Sequence, residues 1–348
     1  MKNFTECTIN KNATCLDALR KLDVVQSNQT LFVLDDDGKL IGTVTDGDIR
    51  RGLIKGLSVD SSITLFCFPK FSSINDKYDV SSIRRIKKEG KKLLPKVNSN
   101  GQIERVYDLT KLKSILPIDV VLMAGGRGER LRPLTDKTPK PLLPIGNKPI
   151  IEHNIDNLIS FGVENFHITV NYLADQIVKY FGDGSNKGVN INCVKENEPL
   201  GTIGSISLIK EFKNDTVLVM NSDLFTNLNY EDFYLNFEKE GADMSVASIP
   251  YNVSVPYAIL NTNDDLIKSF QEKPTYTYYA NAGIYLIKKS LLSKIPINKS
   301  FNATDFIEML IEGNHKVIKY PIVGYWVDIG RHEDYAKVQE FAKHLTND

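Results

Sequence analysis

Residues 119–128 read DVVLMAGGRG, and this stretch decides the fold. From Asp119 to Met123 the chain is largely apolar, without the in-out alternation of a half-exposed strand, so it reads as a parallel strand buried on both faces. Glycines follow at once. At Gly125, Gly126 and Gly128 the backbone can turn sharply and bring bare amide groups against phosphate oxygens with no Cβ in the way. A glycine-rich turn after a strand serves dinucleotide cofactors equally well. A dinucleotide loop, however, wants a third spaced glycine and an immediate helix. Here Arg127, Arg130, Arg132, Lys137, Lys140 and Lys148 follow in a segment broken by prolines. Cations concentrated beside glycines suit a triphosphate.

Downstream, the apolar runs FHITV (166–170), VNINCV (189–194), TVLVM (216–220) and DMSVASI (243–249) alternate with helical patterns such as PIIEHNIDNLISFG. That alternation predicts an α/β fold, a Rossmann-like, mostly parallel sheet with helices on both faces. Ligands of such sheets sit beyond the carboxyl ends of the strands. Asp223 closes the apolar stretch TVLVMNSD and Asp328 closes YPIVGYWVD, so two carboxylates are expected over the glycine loop. Such carboxylates are hard oxygen ligands of the kind Mg²⁺ takes, and Mg²⁺ is the expected cofactor, although an isolated Asp at a strand end is more often a cap.

Upstream, residues 1–115 carry a weak internal repeat. LFVLDDDGKLIGTVTDGDI resembles LLPKVNSNGQIERVYDLTKL, and each copy runs an apolar strand into Asp37-Gly38 or Asn100-Gly101, dipeptides that accept a tight hairpin turn. Thr14 and Ser81 are expected to cap the helices that precede the hairpins, with Gly90 as a stop. Two small βαββα units, an α+β pair, are expected here. The second domain is expected to span 118–348.

The 348-residue chain has 43 Lys plus Arg and 43 Asp plus Glu, so no overall field attracts nucleic acid or an anionic membrane. Neither is expected as a partner. No run has the length of a membrane span and the start lacks a secretory pattern, which together predict a cytoplasmic protein. Cys7, Cys15, Cys67 and Cys193 are scattered without metal-ligand or CxxC spacing, so reduced thiols are expected.

Gly126-Arg127-Gly128-Glu129-Arg130-Leu131, Pro133, Thr135 and Pro139-Lys140-Pro141 resemble the loop of nucleoside-triphosphate:sugar-1-phosphate nucleotidyltransferases. The resemblance implies that Met123, Ala124, Gly125, Gly126 and Gly128 line the nucleotide. It implies that Arg130 grips the triphosphate, that Lys140 aligns the sugar phosphate, and that Asp223 and Asp328 are the metal aspartates. Glu196-Asn197-Glu198-Pro199-Leu200-Gly201-Thr202 resembles the base and ribose loop, with Glu196, Gly201 and Thr202 as contacts. A carboxylate at Glu196 offers only acceptors, which suits the N1 and N2 donors of guanine; a solvated glutamate is the other reading. Gln271-Glu272-Lys273-Pro274 and Asn281-Ala282-Gly283 resemble the sugar-phosphate segments, giving Lys273 the phosphate, Glu272 and Asn281 the sugar hydroxyls, and Gly283 close backbone approach. Ala258 stands where relatives usually have a glycine near the sugar.

The N-terminal repeat resembles a CBS-domain pair, a fold that often holds an adenine nucleotide. In the first copy Thr45 and Asp48 fall at the ribose and phosphate positions. The hairpin alignment puts Arg105, Asp108 and Lys111 where the first copy has Gly42, Thr45 and Asp48, so that pattern is lost in the second. A purely structural or dimerising role is the alternative, and a homodimer is the expected assembly. A CBS pair joined to such a transferase resembles the bacterial glucosamine-1-phosphate guanylyltransferases. The expected reaction joins an NTP, GTP first, to a sugar 1-phosphate, glucosamine 1-phosphate first, releasing pyrophosphate. UTP, CTP or dTTP with another sugar is the alternative, and a non-catalytic regulator binding adenylate and sugar phosphate is the reading from another class.

Overall fold

The computed structural model describes residues 4–24 and 30–345. The chain divides into two compact units, Met1–Ile115 and Leu116–Asp348. In the first, the chain runs through β1 (Thr8–Asn10), α1 (Cys15–Val24), β2 (Thr30–Leu34), β3 (Leu40–Thr45) and α2 (Asp46–Ile54). It continues through α3 (Val80–Lys88), β4 (Leu93–Val97) and β5 (Ile103–Asp108). Helix α1 buries Cys15, Ala18 and Leu22, one stripe at helical spacing. Thr14 caps it as expected: Asp17 N donates to Thr14 Oγ1 at 3.2 Å and Thr14 N donates to Asp17 Oδ2 at 3.0 Å.

Both hairpins form, β2 with β3 and β4 with β5, each antiparallel and each turning through a positive-φ glycine, Gly38 or Gly101. Their registers agree with the alignment of the repeat, because Gly42 faces Val33 and Arg105 faces Lys96, each beside a bulge. Cys7, Phe32, Leu40, Leu93 and Ile103 fuse the two hairpins into one apolar cluster. Two expectations fail. Helix α3 starts two residues earlier than a Ser81 cap would allow, and Asp79 caps it by accepting from Ser81 N at 2.9 Å. Val80 is buried as the first residue of the apolar stripe, so the cap falls just before it. The second copy also lacks a closing helix, since Asp108 folds the chain back on itself by accepting from Thr110 N at 3.1 Å.

The second unit begins with β6 (Ile118–Ala124), followed by the short ribbon β7 (Pro144–Ile145) and β8 (Lys148–Pro149), then α4 (Ile150–Ser160), β9 (Asn165–Val170), α5 (Ala174–Phe181) and β10 (Asn190–Lys195). Next come β11 (Thr216–Asn221), β12 (Leu224–Thr226), α6 (Tyr230–Lys239), β13 (Met244–Ser254), β14 (Ile259–Asn263), β15 (Leu266–Gln271) and β16 (Thr275–Lys288). The chain closes with α7 (Ala303–Glu312), β17 (Val317–Pro321), β18 (Trp326–Asp328) and α8 (His332–Leu345). Seven strands form one sheet in the order β10-β9-β6-β11-β16-β13-β17, parallel except on the two sides of β16. This is the mostly parallel α/β sheet the sequence predicts. Val217 and Val219 of β11 face a cluster that includes Phe306 and Leu310 of α7. Met220 faces the other way, where Tyr230 of α6 donates to its sulfur at 3.7 Å. Helices therefore cover both faces.

Asp119 is a carboxylate buried inside β6, and burial of such a charge is tolerable only with full hydrogen bonding. Asn214 supplies two donors, its N at 3.1 Å and its Nδ2 at 2.8 Å, which pin the approach to β11 beside β6. From β6 the chain moves outward through β9 to β10, then returns to β11 on the other side of β6. The order thus reverses between β6 and β11, and the crevice beyond their carboxyl ends is where such sheets bind ligands.

Candidate active site

The glycine loop leaves β6 at this crevice. Gly128 takes φ +63°, and a Cβ there would sit 3.0 Å from Lys140 Cβ and from Thr135 Cγ2. Only glycine lets the loop lie against those side chains. Thr135 Oγ1 donates to Gly128 O at 2.9 Å, and Tyr172 Oη donates to Thr135 O at 3.1 Å, so the loop is braced from behind. Gly126 has nothing within 4 Å of its Cβ position and faces open space.

Below the loop lies a charged cluster. Lys140 opens a short 3-10 turn and is 8 % exposed. Its ammonium donates to Asp223 and stands 3.9 Å from Asp328 Oδ1. Asp223 does not end a strand, as the sequence suggests; β11 stops at Asn221, and the aspartate occupies the turn before β12. Asp328 ends β18, which pairs with β12 in a separate ribbon, Leu224 facing Asp328. Ile329 N donates to Asp223 O at 3.2 Å, closing the ribbon end. Arg130 reaches the same place: a Cβ on Gly330 would be 3.4 Å from its Nη1. Burial pushes the Asp328 carboxyl above its ordinary pKa, and Asp223 adds to this, while Lys140 and Arg130 pull the other way.

Two carboxylates that converge on an ammonium form a place where positive charge is stabilised. Their oxygens are the hard donors Mg²⁺ takes, and Mg²⁺ often uses one or two carboxylates together with substrate phosphates. Among the described residues there is no cluster of three or more metal-binding side chains, so phosphate and water would complete the coordination.

The remaining expected residues divide. Glu196 follows the carboxyl end of β10, is buried, and lies against the loop: a Cβ on Gly125 would be 2.9 Å from its Oε1. Burial raises its pKa against the opposing hydrogen bond that Leu200 N donates to its Oε2 at 3.3 Å. Met123 and Ala124 end β6, and Met123 O accepts from both Ser222 N (3.2 Å) and Ser222 Oγ (2.7 Å). Asn281 and Gly283 lie where β16 passes the end of β11; a Cβ on Gly283 would strike Asn221 Nδ2 at 2.6 Å, and Asn281 Oδ1 accepts from Gly283 N at 2.9 Å. Trp326 Nε1 donates to Ala282 O at 2.9 Å, tying this segment to the strand that bears Asp328.

Glu272 and Lys273 are not brought to the cluster. They occupy the exposed turn between β15 and β16, and the strand from Thr275 to Asn281 puts roughly 20 Å between that turn and Asn281 at about 3.3 Å per residue. Ala258 lies on the same exposed arm, before β14. Gly201 and Thr202 serve packing: a Cβ on Gly201 would be 2.8 Å from Phe301 O, and Thr202 Oγ1 accepts from Ala303 N at 2.8 Å at the start of α7. In the first unit Thr45 and Asp48 are engaged with each other as the capping box of α2, and Arg51 pairs with Asp48 at 2.5 Å.

Sequence reasoning missed Asn154, Ser222 and Gly330. Asn154 left a signal, since it interrupts the apolar stripe Ile150, Ile151, Ile155, Leu158 of α4 with a buried amide. Burial raises the pKa of the Cys15, Cys67 and Cys193 thiols.

An α/β sheet whose switch point carries a glycine loop over paired cations and carboxylates is a phosphate-handling scaffold, and comparison with known proteins specifies its kind. Residues 119–344 match the family described as nucleotidyl transferase, and the chain belongs to it. Residues 4–55, the first hairpin unit, match the CBS domain. A mannose-1-phosphate guanylyltransferase from Mycobacterium tuberculosis is 31 % identical over 227 residues, covering 63 % of this chain and 63 % of the relative. This chain thus matches under two thirds of that relative's length. The crystal structure of HddC from Yersinia pseudotuberculosis complexed with GMP-PN superposes with a TM-score of 0.51 at 27 % identity, covering 64 % of this chain and 99 % of that one. A putative glucose-1-phosphate thymidylyltransferase from Bacillus anthracis shares the fold, with a TM-score of 0.53 at 24 % identity over 65 % of this chain and 95 % of that one. No described helix is long and apolar enough to cross a membrane.

Proposed function

We propose that this chain transfers a nucleotidyl group from an NTP to a sugar 1-phosphate. One observation carries the reading: Lys140, Asp223, Asp328 and Arg130 converge beneath a glycine loop at the switch point of the sheet. A phosphate oxygen of the sugar 1-phosphate attacks the α-phosphorus and forms a new P–O bond. The bond between the α-phosphorus and the bridging oxygen breaks, and pyrophosphate leaves with the electron pair. The products are an NDP-sugar and pyrophosphate, with no covalent enzyme intermediate.

In such transfers positioning and charge stabilisation supply most of the rate. The loop amides around Gly126 cradle the triphosphate, and Arg130 balances charge growing on its oxygens. Lys140 holds the attacking phosphate in line. Asp223 and Asp328 would hold Mg²⁺, which when bound screens the repulsion between the two anionic substrates. Asn281 and the Gly283 backbone meet the sugar from β16. Glu196, an acceptor against Gly125, favours guanine, and GTP with glucosamine 1-phosphate is the pair assigned to the site.

Incubation of the full chain with each NTP and a panel of hexose 1-phosphates, with pyrophosphate followed, tests both levels. Turnover with GTP is expected. Turnover with UTP, CTP or dTTP alone would remove the guanine assignment and keep the reaction. Binding without pyrophosphate release in any combination would leave a regulatory protein instead.

A further inference from the structure

We propose that Asn154 is a positioning residue for Asp223, holding the backbone that presents this carboxylate to the cation and the reacting phosphates. The inference rests on the reading of Asp223 given above. Asn154 lies on α4, 4 % exposed, with Ile150, Ile151, Ile155 and Leu158 buried on the same helix. Its Nδ2 donates to Leu224 O at 2.9 Å and reaches Ser222 O at 3.5 Å, so one amide group faces the carbonyls on either side of Asp223. Asp223 O itself accepts from Ile329 N at 3.2 Å. Three successive carbonyls of the turn are therefore engaged from outside it, by α4 and by the residue after β18.

The front of the turn is fixed as well. Ser222 donates through both N and Oγ to the carbonyl of Met123, the penultimate residue of β6 before the glycine loop. The aspartate and the loop consequently share one anchor. An amide suits this task because a single –NH₂ carries two hydrogens for two carbonyls. Leucine of similar shape would leave both carbonyls unsatisfied in a buried place, and aspartate would set acceptor against acceptor. Partners of this kind, one step behind a metal ligand, typically change metal affinity by about 10–100-fold when removed.

The test uses the full-length protein with Mn²⁺ and GTP in the absence of sugar 1-phosphate, and Mn²⁺ binding is read by water-proton relaxation. Asn154→Ala is expected to weaken Mn²⁺ about tenfold; once sugar 1-phosphate is added at saturating metal, the KM for GTP is expected within about twofold of wild type. Ser222→Ala removes one hydrogen bond and leaves packing in place, and is expected to weaken Mn²⁺ about threefold. Wild-type Mn²⁺ affinity in a folded Asn154→Ala protein overturns the proposal. If circular dichroism shows that Asn154→Ala does not fold, Ser222→Ala decides by the same criterion. Asp223→Ala is the control: retention of Mn²⁺ there would reject the role of the aspartate itself, whereas loss there with no change in the other two variants would reject only the positioning role.

Discussion

The turn at Ser222–Leu224 and the arm from Tyr251 to Ala280 both extend from strands of the seven-stranded sheet, yet they are built in opposite ways. Each carbonyl of the turn is engaged, and Lys140, buried beneath it, is fixed between two carboxylates. The arm is a ribbon of β13 and β16 with the hairpin β14-β15, and almost every residue on it is exposed. Tyr251 faces Tyr278 and Val253 faces Tyr276, so one side of the ribbon is apolar, while Thr277 Oγ1 donates to Asn252 on the other. The difference is one of constraint. Chemistry on phosphate, the task proposed for the turn, needs groups held close to their final geometry. The exposed ribbon is under no such constraint.

The comparison is broken most directly at its fixed end. Asp223→Ala and Lys140→Ala are each expected to lower kcat/KM by about 10²–10³-fold in a pyrophosphate-release assay, as removal of one preorganised charge at a reacting centre does. A loss under tenfold in both would mean that the braced turn is not where the rate arises. At the other end, Lys273→Ala is expected to leave both kcat and the KM for the sugar 1-phosphate within about threefold of wild type, because its turn stands at the far end of the ribbon from Asn281. Its melting temperature should match wild type, because the side chain is exposed. A fall in kcat as large as that of Lys140→Ala would place the arm among the rate-determining groups.

Glu196→Gln sharpens the boundary between them. The side chain is buried against the loop, so the change should leave turnover with the preferred NTP measurable while lowering the kcat/KM ratio of GTP to UTP about tenfold. An unchanged ratio would assign Glu196 to packing alone.

The smallest effect concerns the support beneath the turn. Asp156 of α4 pairs with Lys148 at 2.6 Å and with Lys187 at 2.7 Å. Burial would raise its pKa, but hydrogen bonds from Lys148 and Lys187 outweigh this and leave it lowered. A carboxyl with a depressed folded pKa adds stability above its unfolded value and loses it as pH falls through the folded one. Asp156→Asn should therefore melt slightly below wild type at pH 7, and the gap should narrow progressively as pH falls below about 4. A gap that does not narrow at all as pH falls through this range would show that the pair contributes by shape and not by charge.

What the sequence revealed follows from how local each signal is. The strand-glycine junction at Ala124-Gly125 and the hairpin turns at Gly38 and Gly101 are short-range patterns, and the structure contains all of them. Asp223 was legible because it stands beside an apolar run, although the strand ends two residues before it. Asp79 and Ser81 are both good cap residues, and only the burial of Val80 chooses between them. Gly330 could not be read at all, since its place beside Arg130, distant in sequence, exists only in the folded chain. Glu272 and Lys273 show the reverse: a local motif was visible, but its distance from the charged cluster is set by the length of the arm.

One irregularity in β13 carries a practical consequence. Between Val246 and Ser248 the register against β16 shifts, so the ladder breaks into an inner segment, Met244 to Val246, and an outer one, Ser248 to Ser254. The outer ladder and its hairpin can thus be lengthened, exchanged or redesigned as a cassette without disturbing the pairing of β16 with β11. A graft of residues 249–280 from a relative would therefore read out what the arm contributes while the charged cluster is left as it is.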